Sequence, residues 1–255
     1  MRGPFQPHLT LTLPCSALPE GGQHHYQGML KSLCAKSWRT MAIFYFLRHG
    51  EATWNAEGRL CGRTDVPLSE VGRHQAQLLA QRLQPIMVGA LYSSPLGRAL
   101  ETARLIGRAI GREPVVDQRL AELNYGAWEG RTFEEIKRAA PAIYRAWDAD
   151  PGSLAPPEGE TGVHLIERVK PFLLEVAQRH QSGNIAVVCH KTVCRLLACH
   201  ILGLPLSEYR RRVPMENAAL NIFETREGIW RVVSLNDTSH LSASPAEPAL
   251  PAETE

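Results

Sequence analysis

The sequence of 255 residues predicts an α/β fold in which a mostly parallel central sheet lies between two layers of helices. An unbroken apolar run at 43–47 and a second unbroken β run at 184–189, apolar after Asn184, are typical of strands that are buried on both faces. Segments with helical periodicity lie between these two runs, for example at 69–83, 95–110 and 161–180. Strands that alternate with helices usually form a parallel sheet covered on both sides, so we expect a three-layer αβα architecture.

Local signals mark the ends of several elements. Ser69 is a good N-cap for the helix at 69–83, and Pro85 stops that helix. Gly111 ends the helix at 95–110. The other predicted elements are strands at 89–93, 115–116, 218–224 and 230–235, and helices at 132–147, with a break near Pro141, and at 192–202.

Composition divides the chain into three parts. Residues 1–40 are rich in Gly, Pro, His and Gln, and we interpret them as a disordered extension or as the result of a start codon assigned too early. Residues 41–238 have the size of one domain. Residues 239–255 are rich in Ser, Pro, Ala and Glu and are predicted to be a disordered tail.

Charge and cysteine content exclude several classes of function. A formal net charge of +2 gives no sign of a nucleic-acid or acidic-membrane footprint, and no apolar run reaches the length of a membrane span. The six cysteines form no Cys-x-x-Cys pair, and no histidines have zinc-finger spacing. We therefore expect a cytoplasmic protein with reduced thiols, no metal, no cofactor, and no nucleic-acid or membrane partner.

Two predicted strands lead directly into histidines. Arg48-His49-Gly50 follows the first apolar run, and His190 follows the run at 184–189. If these strands are parallel, both histidines emerge at the carboxyl edge of one sheet, where open α/β sheets place their ligand crevices. Gly50 removes a side chain at a point where we expect the backbone to approach a ligand closely.

The residues around His49 carry a family resemblance. Leu47-Arg48-His49-Gly50-Glu51-Ala52-Thr53-Trp54-Asn55 resembles the signature of the histidine phosphatase superfamily, in its phosphoglycerate-mutase-like branch. Further blocks agree in order and spacing, at 92–103, 120–130, 157–161 and around His190. The resemblance covers roughly 41–235 and implies phosphoryl transfer to a histidine.

The resemblance implies a role for each of five predicted catalytic residues. His49 would attack phosphorus and become phosphohistidine, which suits imidazole because it is nucleophilic near neutral pH. Arg48, Arg98 and His190 would surround the transferring phosphoryl group, whose charge is spread over three equatorial oxygens. Glu122 would protonate the leaving oxygen and then activate water against phosphohistidine.

A wider set of residues is expected to contact the substrate. The predicted substrate-binding residues are Arg48, His49, Gly50, Asn55, Arg59, Cys61, Gly62, Arg98, Glu122, Tyr125, His190 and Lys191. Asn55 would donate a neutral hydrogen bond to the phosphoryl group, while Tyr125 either lines the pocket or only packs. Many relatives have two glycines after the second histidine. Here Lys191-Thr192 follows, and the Lys191 side chain either adds charge to the pocket or points into solvent. Arg195 is interpreted either as a ligand contact or as part of a structural salt bridge.

Three functions are compatible with this pattern. The favoured one is hydrolysis of a small phosphorylated metabolite. The resemblance implies this because mutases of the family carry a longer insertion that closes the site against water, whereas the stretch from 130 to 157 is short here. A cofactor-dependent phosphoglycerate mutase is the first alternative, and a non-catalytic phosphate-binding protein on the same scaffold is the second. Phosphoserine, α-ribazole phosphate, sugar phosphates and glycerate phosphates are candidate substrates, and a homodimer is a candidate assembly.

Overall fold

The computed structural model describes residues 41–242, which contain six strands and eight α-helices. The strands are β1 (Met41–Arg48), β2 (Val88–Ser93), β3 (Val115–Val116), β4 (Gly183–Cys189), β5 (Leu220–Arg226) and β6 (Ile229–Asp237). The helices are α1 (Thr53–Ala56), α2 (Glu70–Leu83), α3 (Gly97–Ile110), α4 (Phe133–Ala139), α5 (Pro141–Ala149), α6 (Gly162–Arg179), α7 (Lys191–Leu202) and α8 (Tyr209–Arg212). None of these helices is long and apolar enough to cross a membrane.

The strands form one sheet in the order β3-β2-β4-β1-β5-β6. β1 and β2 both pair with β4 in parallel, and β3 pairs with β2 in parallel at the edge predicted from its sequence. β5 runs antiparallel to β1 and β6 antiparallel to β5, so the sheet is mostly parallel. The central strands β1 and β4 are almost entirely buried, as their unbroken apolar runs predict.

Helices cover both faces of this sheet, which confirms the predicted three-layer architecture. Phe44 and Phe46 of β1 point into a core shared with α6 and α7. Tyr45 and Leu47 point to the opposite face and pack against α2 and α3. Successive side chains of a strand alternate between faces, and β1 is apolar at each of these positions because both faces are covered.

Capping residues set the helix ends where the sequence predicts them. The Ser69 hydroxyl accepts a hydrogen bond from the Gly72 N–H at 3.0 Å at the start of α2. Gly111 ends α3 in the left-handed conformation, with φ +67°, which costs glycine no Cβ strain. The predicted break near Pro141 is confirmed, because Pro141 is the first residue of α5.

Most boundaries differ from the sequence expectations by one or two residues, and two of the differences have a clear structural basis. β5 begins at Leu220 rather than at 218, because Ala218 has a positive φ of 55° that interrupts extended backbone. The folded unit continues past the expected boundary at 238, since Ser239–Leu241 form a 3₁₀ turn in which His240 is buried. Residues 1–40, interpreted above as an extension or an early start, lie outside the described residues. So does the part of the predicted tail after residue 242.

Backbone contact between two glycines fixes the loop that follows β1. A Cβ atom on Gly50 would lie 2.1 Å from the carbonyl oxygen of Gly72, and one on Gly72 would lie 1.9 Å from the carbonyl oxygen of Glu51. We expected glycine at position 50 for close approach of a ligand. The structure gives a different reason, which is that the start of α2 packs directly on the segment after His49.

We expect Gly72→Ala to destabilise the protein, because the added methyl group would overlap backbone atoms of Glu51. Backbone atoms cannot move aside as the end of a flexible side chain can. Overpacking of this kind costs about 1–3 kcal/mol of unfolding free energy, measurable by urea denaturation. Gly89→Ala is the matched control, because its Cβ would meet nothing closer than 3.6 Å. Equal stability of the two variants would contradict this account of the α2 contact.

Candidate active site

Parallel pairing of β1 with β4 brings the two predicted histidines together. Arg48 lies opposite Cys189 in the register, and the His49 N–H donates to the Cys189 carbonyl at 3.1 Å. The next residues, His49 and His190, have ring centroids 5.1 Å apart at an interplanar angle of 61°. The sequence expectation that both emerge at one sheet edge is therefore met in the geometry.

His49 is held as a neutral imidazole with a defined tautomer. Its Nδ1 lies 2.6 Å from the Gly50 carbonyl oxygen, which can only accept, so we assign the ring proton to Nδ1. The lone pair of Nε2 then faces Arg98, whose Nε donates at 3.3 Å. Burial, and after it the charges of Arg98 and Arg48, hold the pKa of His49 well below its ordinary value. A buried histidine whose Nε2 lone pair is unprotonated at neutral pH is equipped to act as a nucleophile.

Two buried guanidinium groups are fixed beside His49 by backbone carbonyls. Arg48 donates through Nη1 to Met215 at 2.8 Å, and its Nε is buried without a partner. Arg98 donates to the carbonyls of Gly62 at 2.6 Å and Thr64 at 2.9 Å. Within residues 41–242 neither forms an ion pair, and burial lowers the pKa of Arg48 to about 10. Carbonyls orient these groups without neutralising them, so the site presents uncompensated positive charge to an anion.

Glu122 supplies a carboxylate at the edge of this positive site. Its Oε1 accepts from the N–H of Leu123 at 2.7 Å, and its Oε2 accepts from the N–H of Thr192 at 3.2 Å. The backbone of Glu122 is itself held, because Arg168 donates to its carbonyl at 3.1 Å and forms an ion pair with Glu160 at 2.8 Å. A carboxylate fixed in this way can exchange a proton with a group bound next to His49.

His190 is completely buried behind His49. Its Nε2 lies 2.6 Å from the hydroxyl oxygen of Ser94, and this oxygen accepts from the N–H of Leu96 at 3.3 Å, which leaves the hydroxyl proton free to be donated to Nε2. Nδ1 of His190 has no partner among the described residues. Burial, followed by the charges of Arg98 and His49, holds its pKa well below the ordinary value, so this ring is a neutral hydrogen-bonding group.

A cavity of about 350 Å³ opens at this edge of the sheet. All predicted substrate-binding residues except Gly50 and His190 line it. The N–H of Gly50 donates to Thr102, so that amide is already occupied. Sequence reasoning missed six lining residues: Gly58, Leu60, Phe133, Thr192, Glu216 and Asn217.

Two predicted loop residues that line the cavity, Asn55 and Arg59, are already bonded to other protein groups. Asn55 donates to the Cys61 sulfur at 3.4 Å and accepts from the Ala52 N–H, which fixes its amide. Arg59 forms ion pairs with Glu57 and Glu135, so its charge is already compensated. Arg59 therefore fits a structural role in the cavity wall better than an anion contact.

Tyr125 and Lys191 complete the predicted set. The Tyr125 hydroxyl hydrogen-bonds to that of Thr192 at 3.1 Å, and burial raises the pKa of Tyr125 to about 12. Lys191 lines the cavity rather than pointing only into solvent. In the part of the chain that the structure describes, no cluster of three or more His, Cys, Asp or Glu side chains could hold a metal ion.

Comparison with known proteins matches the chain to one family. A family model described as the histidine phosphatase superfamily (branch 1) matches residues 44–238. Phosphoserine phosphatase 1 of Hydrogenobacter thermophilus is 35% identical over 201 residues, which is 79% of this chain and 95% of that protein.

Two further proteins show the spread of names among the relatives. An Escherichia coli O1:K1 / APEC protein named "Probable phosphoglycerate mutase GpmB" is 33% identical over 80% of this chain and 96% of its own. The solved structure of mycobacterial glucosyl-3-phosphoglycerate phosphatase is similar with a TM-score of 0.71 and 30% identity, over 77% of this chain and 99% of that chain.

We expect the imidazole of His49 to titrate well below pH 6.5, because protonation would add a third buried cation beside Arg48 and Arg98. Histidine ring NMR across a pH series, with the His49 signal assigned from His49→Gln, measures this. Arg98→Met should raise the pKa of His49 because it removes a positive neighbour. Arg59→Met, which removes a cation already paired with two glutamates, should leave it unchanged. A His49 pKa at or above 6.5 would refute the neutral nucleophile.

Proposed function

The chain belongs to the histidine phosphatase superfamily, and from that premise we propose that it hydrolyses phosphate monoesters of small metabolites through phosphohistidine at His49. The observation that carries the proposal is the neutral imidazole of His49, whose Nε2 lone pair faces a site with two uncompensated guanidinium groups. That arrangement joins a nucleophile to a binding site for a dianion.

The first step transfers the phosphoryl group to the protein. Arg48 and Arg98 bind the non-bridging oxygens, and the Nε–H of Arg98 turns its hydrogen bond from Nε2 of His49 to one of these oxygens, so that phosphorus faces Nε2. Nε2 of His49 forms a bond to phosphorus while the bond from phosphorus to the ester oxygen breaks. With the Ser94 hydroxyl donating to Nε2 of His190, the neutral ring carries its proton on the otherwise unpartnered Nδ1, which donates a hydrogen bond to the phosphoryl group. Because these donors are fixed before the reaction, they stabilise the spread charge of the transition state without reorganising.

Glu122 handles the proton in both steps. As the ester bond breaks, its carboxyl group protonates the leaving oxygen and becomes a carboxylate. The same carboxylate then removes a proton from a water molecule that attacks phosphohistidine, which releases inorganic phosphate and restores His49. The two backbone N–H groups that hold Glu122 keep it in place for both transfers.

A mutase is the second candidate, and the relative named as a phosphoglycerate mutase favours it. In a mutase the phosphohistidine would return its phosphoryl group to a bound phosphoglycerate instead of water. The short segment from 130 to 157, which forms only α4, α5 and their connections, favours the hydrolase because it leaves water free to enter. Efficient isomerisation of 3-phosphoglycerate with little phosphate release would establish the mutase instead.

We expect turnover of p-nitrophenyl phosphate that persists in EDTA and that falls by about 10⁴-fold or more in His49→Ala, because the nucleophile is lost. Phosphate release measures the rate, and ³¹P NMR of quenched enzyme detects the acid-labile phosphohistidine. His164→Ala, which removes an exposed histidine on α6, is the control. Unchanged turnover in His49→Ala would refute the nucleophile, and no turnover by the wild type would favour a non-catalytic phosphate-binding protein.

Glu122→Gln should impair hydrolysis of alkyl phosphates far more than hydrolysis of p-nitrophenyl phosphate. An alkoxide must be protonated as it leaves, whereas p-nitrophenolate leaves without a proton. We expect a loss of about 10²–10⁴-fold for an alkyl ester in the phosphoryl-transfer step, measured by single-turnover kinetics. A loss of the same size for both esters in that step would show that Glu122 is not the general acid.

We also propose the partners, the location and the assembly of this enzyme. The net charge of +2 supports an enzyme of free metabolites without a nucleic-acid partner. The described cysteines are all free thiols, which supports a cytoplasmic location. A homodimer is the assembly that we propose.

A further inference from the structure

A second cavity, of about 390 Å³, adjoins the cavity at His49. The two cavities share five lining residues, namely Leu60, Tyr125, Phe133, Lys191 and Thr192. They are therefore neighbouring parts of one cleft. When the phosphoryl group of a substrate lies beside His49, the second cavity offers adjoining space for the remaining atoms.

Two cations in the second cavity lack partners. Lys191 and Arg195 lie four residues apart on α7, which places them on one face of the helix. Within residues 41–242 neither side chain donates a hydrogen bond or forms an ion pair, and Nε of Arg195 is buried without a partner. Burial, together with the charges of Arg48 and Arg195, lowers the pKa of Lys191 to about 8. Such groups are costly to bury unpaired, so the cavity is built to receive negative charge.

The other charges in this cavity are already compensated. Arg210 pairs with Asp148 and stacks over the rings of Phe133 and Trp147, at 4.6 and 4.5 Å from their centroids. Arg211 bonds to the Asp148 carbonyl and pairs with Glu208. Lys191 and Arg195 thus leave a local positive excess between aromatic walls, which fits one oxyanion group on a compact carbon skeleton.

We propose that Lys191 and Arg195 bind a second oxyanion group on the substrate, which is therefore a phosphate monoester whose alcohol carries a carboxylate or another phosphate. This rests on the proposed function, since it assigns the phosphoryl group to His49. Arg195 supplies a planar fork and Lys191 a point charge close to both cavities. The subsite selects the leaving group and takes no part in bond breaking.

Three esters with similar alkyl leaving groups test this subsite. They are propyl phosphate, the phosphate ester of 3-hydroxypropanoate, and propane-1,3-diol bisphosphate. For the wild type, kcat/KM should be about 10–100-fold higher for at least one acidic ester than for propyl phosphate. The acidic ester with the higher kcat/KM shows whether the subsite prefers a carboxylate or a phosphate. Equal values for all three esters would overturn the subsite and leave the hydrolase intact.

Variants identify the residues responsible. Lys191→Met and Arg195→Met should each reduce the preference for the acidic ester by about tenfold or more, and Arg195→Lys should restore part of it. The preference is a ratio within one variant, so it does not depend on how much protein is active. Arg179→Met is the control, because it removes an exposed arginine of α6 paired with Glu175. A preference that survives both Met substitutions would overturn the assignment.

Binding measurements test the subsite independently of whether the protein hydrolyses these esters. Calorimetry with the His49→Ala protein measures affinity for the same three esters without turnover. Tighter binding of an acidic ester, lost when Arg195→Met is added, supports the subsite even if the wild type hydrolyses none of them. Equal binding of all three esters overturns the subsite whether or not the wild type is a phosphatase.

Discussion

The parallel pairing of β1 with β4 is the constraint on which the site depends. Both strands end at the same edge because Arg48 and Cys189 are in register, and the residues that follow them are the two site histidines. Close packing on both faces fixes that register, since a shift by one residue would exchange Phe44 and Phe46 with Tyr45 and Leu47 between two cores of different shape. The distance between His49 and His190 is thus set by the hydrophobic core rather than by contacts within the site.

The charges at this edge are arranged for a ligand rather than for stability. Elsewhere arginines meet carboxylates, as in the pairs Arg168–Glu160 and Arg119–Asp117. Arg48 and Arg98 instead meet carbonyl oxygens, which satisfy some N–H groups but leave the positive charge in place. Buried charge of one sign is destabilising, and the folded protein tolerates it because the core on both sides of the sheet is large.

Features that depend on local sequence patterns, such as helix caps and strand ends, could be predicted from the sequence. Period and capping identify the central strands, the Ser69 cap and the break at Pro141, and the motif brings His49 and His190 to one edge. Residues joined by long-range contacts were missed. Thr192 lines the cavity and holds Glu122 through its backbone N–H, which no side-chain pattern reveals. Ser94 could have been found, because it follows β2 at the same carboxyl edge as the histidines.

The division of the cleft indicates where the ester bond would break in the proposed reaction. With phosphorus bound between His49 and the two guanidinium groups, the rest of the substrate would extend past Tyr125 and Thr192, which line both cavities. The bridging oxygen must therefore lie where the cavities meet. Glu122 is tied to that junction, because its carboxylate accepts from the Thr192 N–H. One backbone position thus places the proton donor at the bond that breaks, whatever alcohol fills the second cavity.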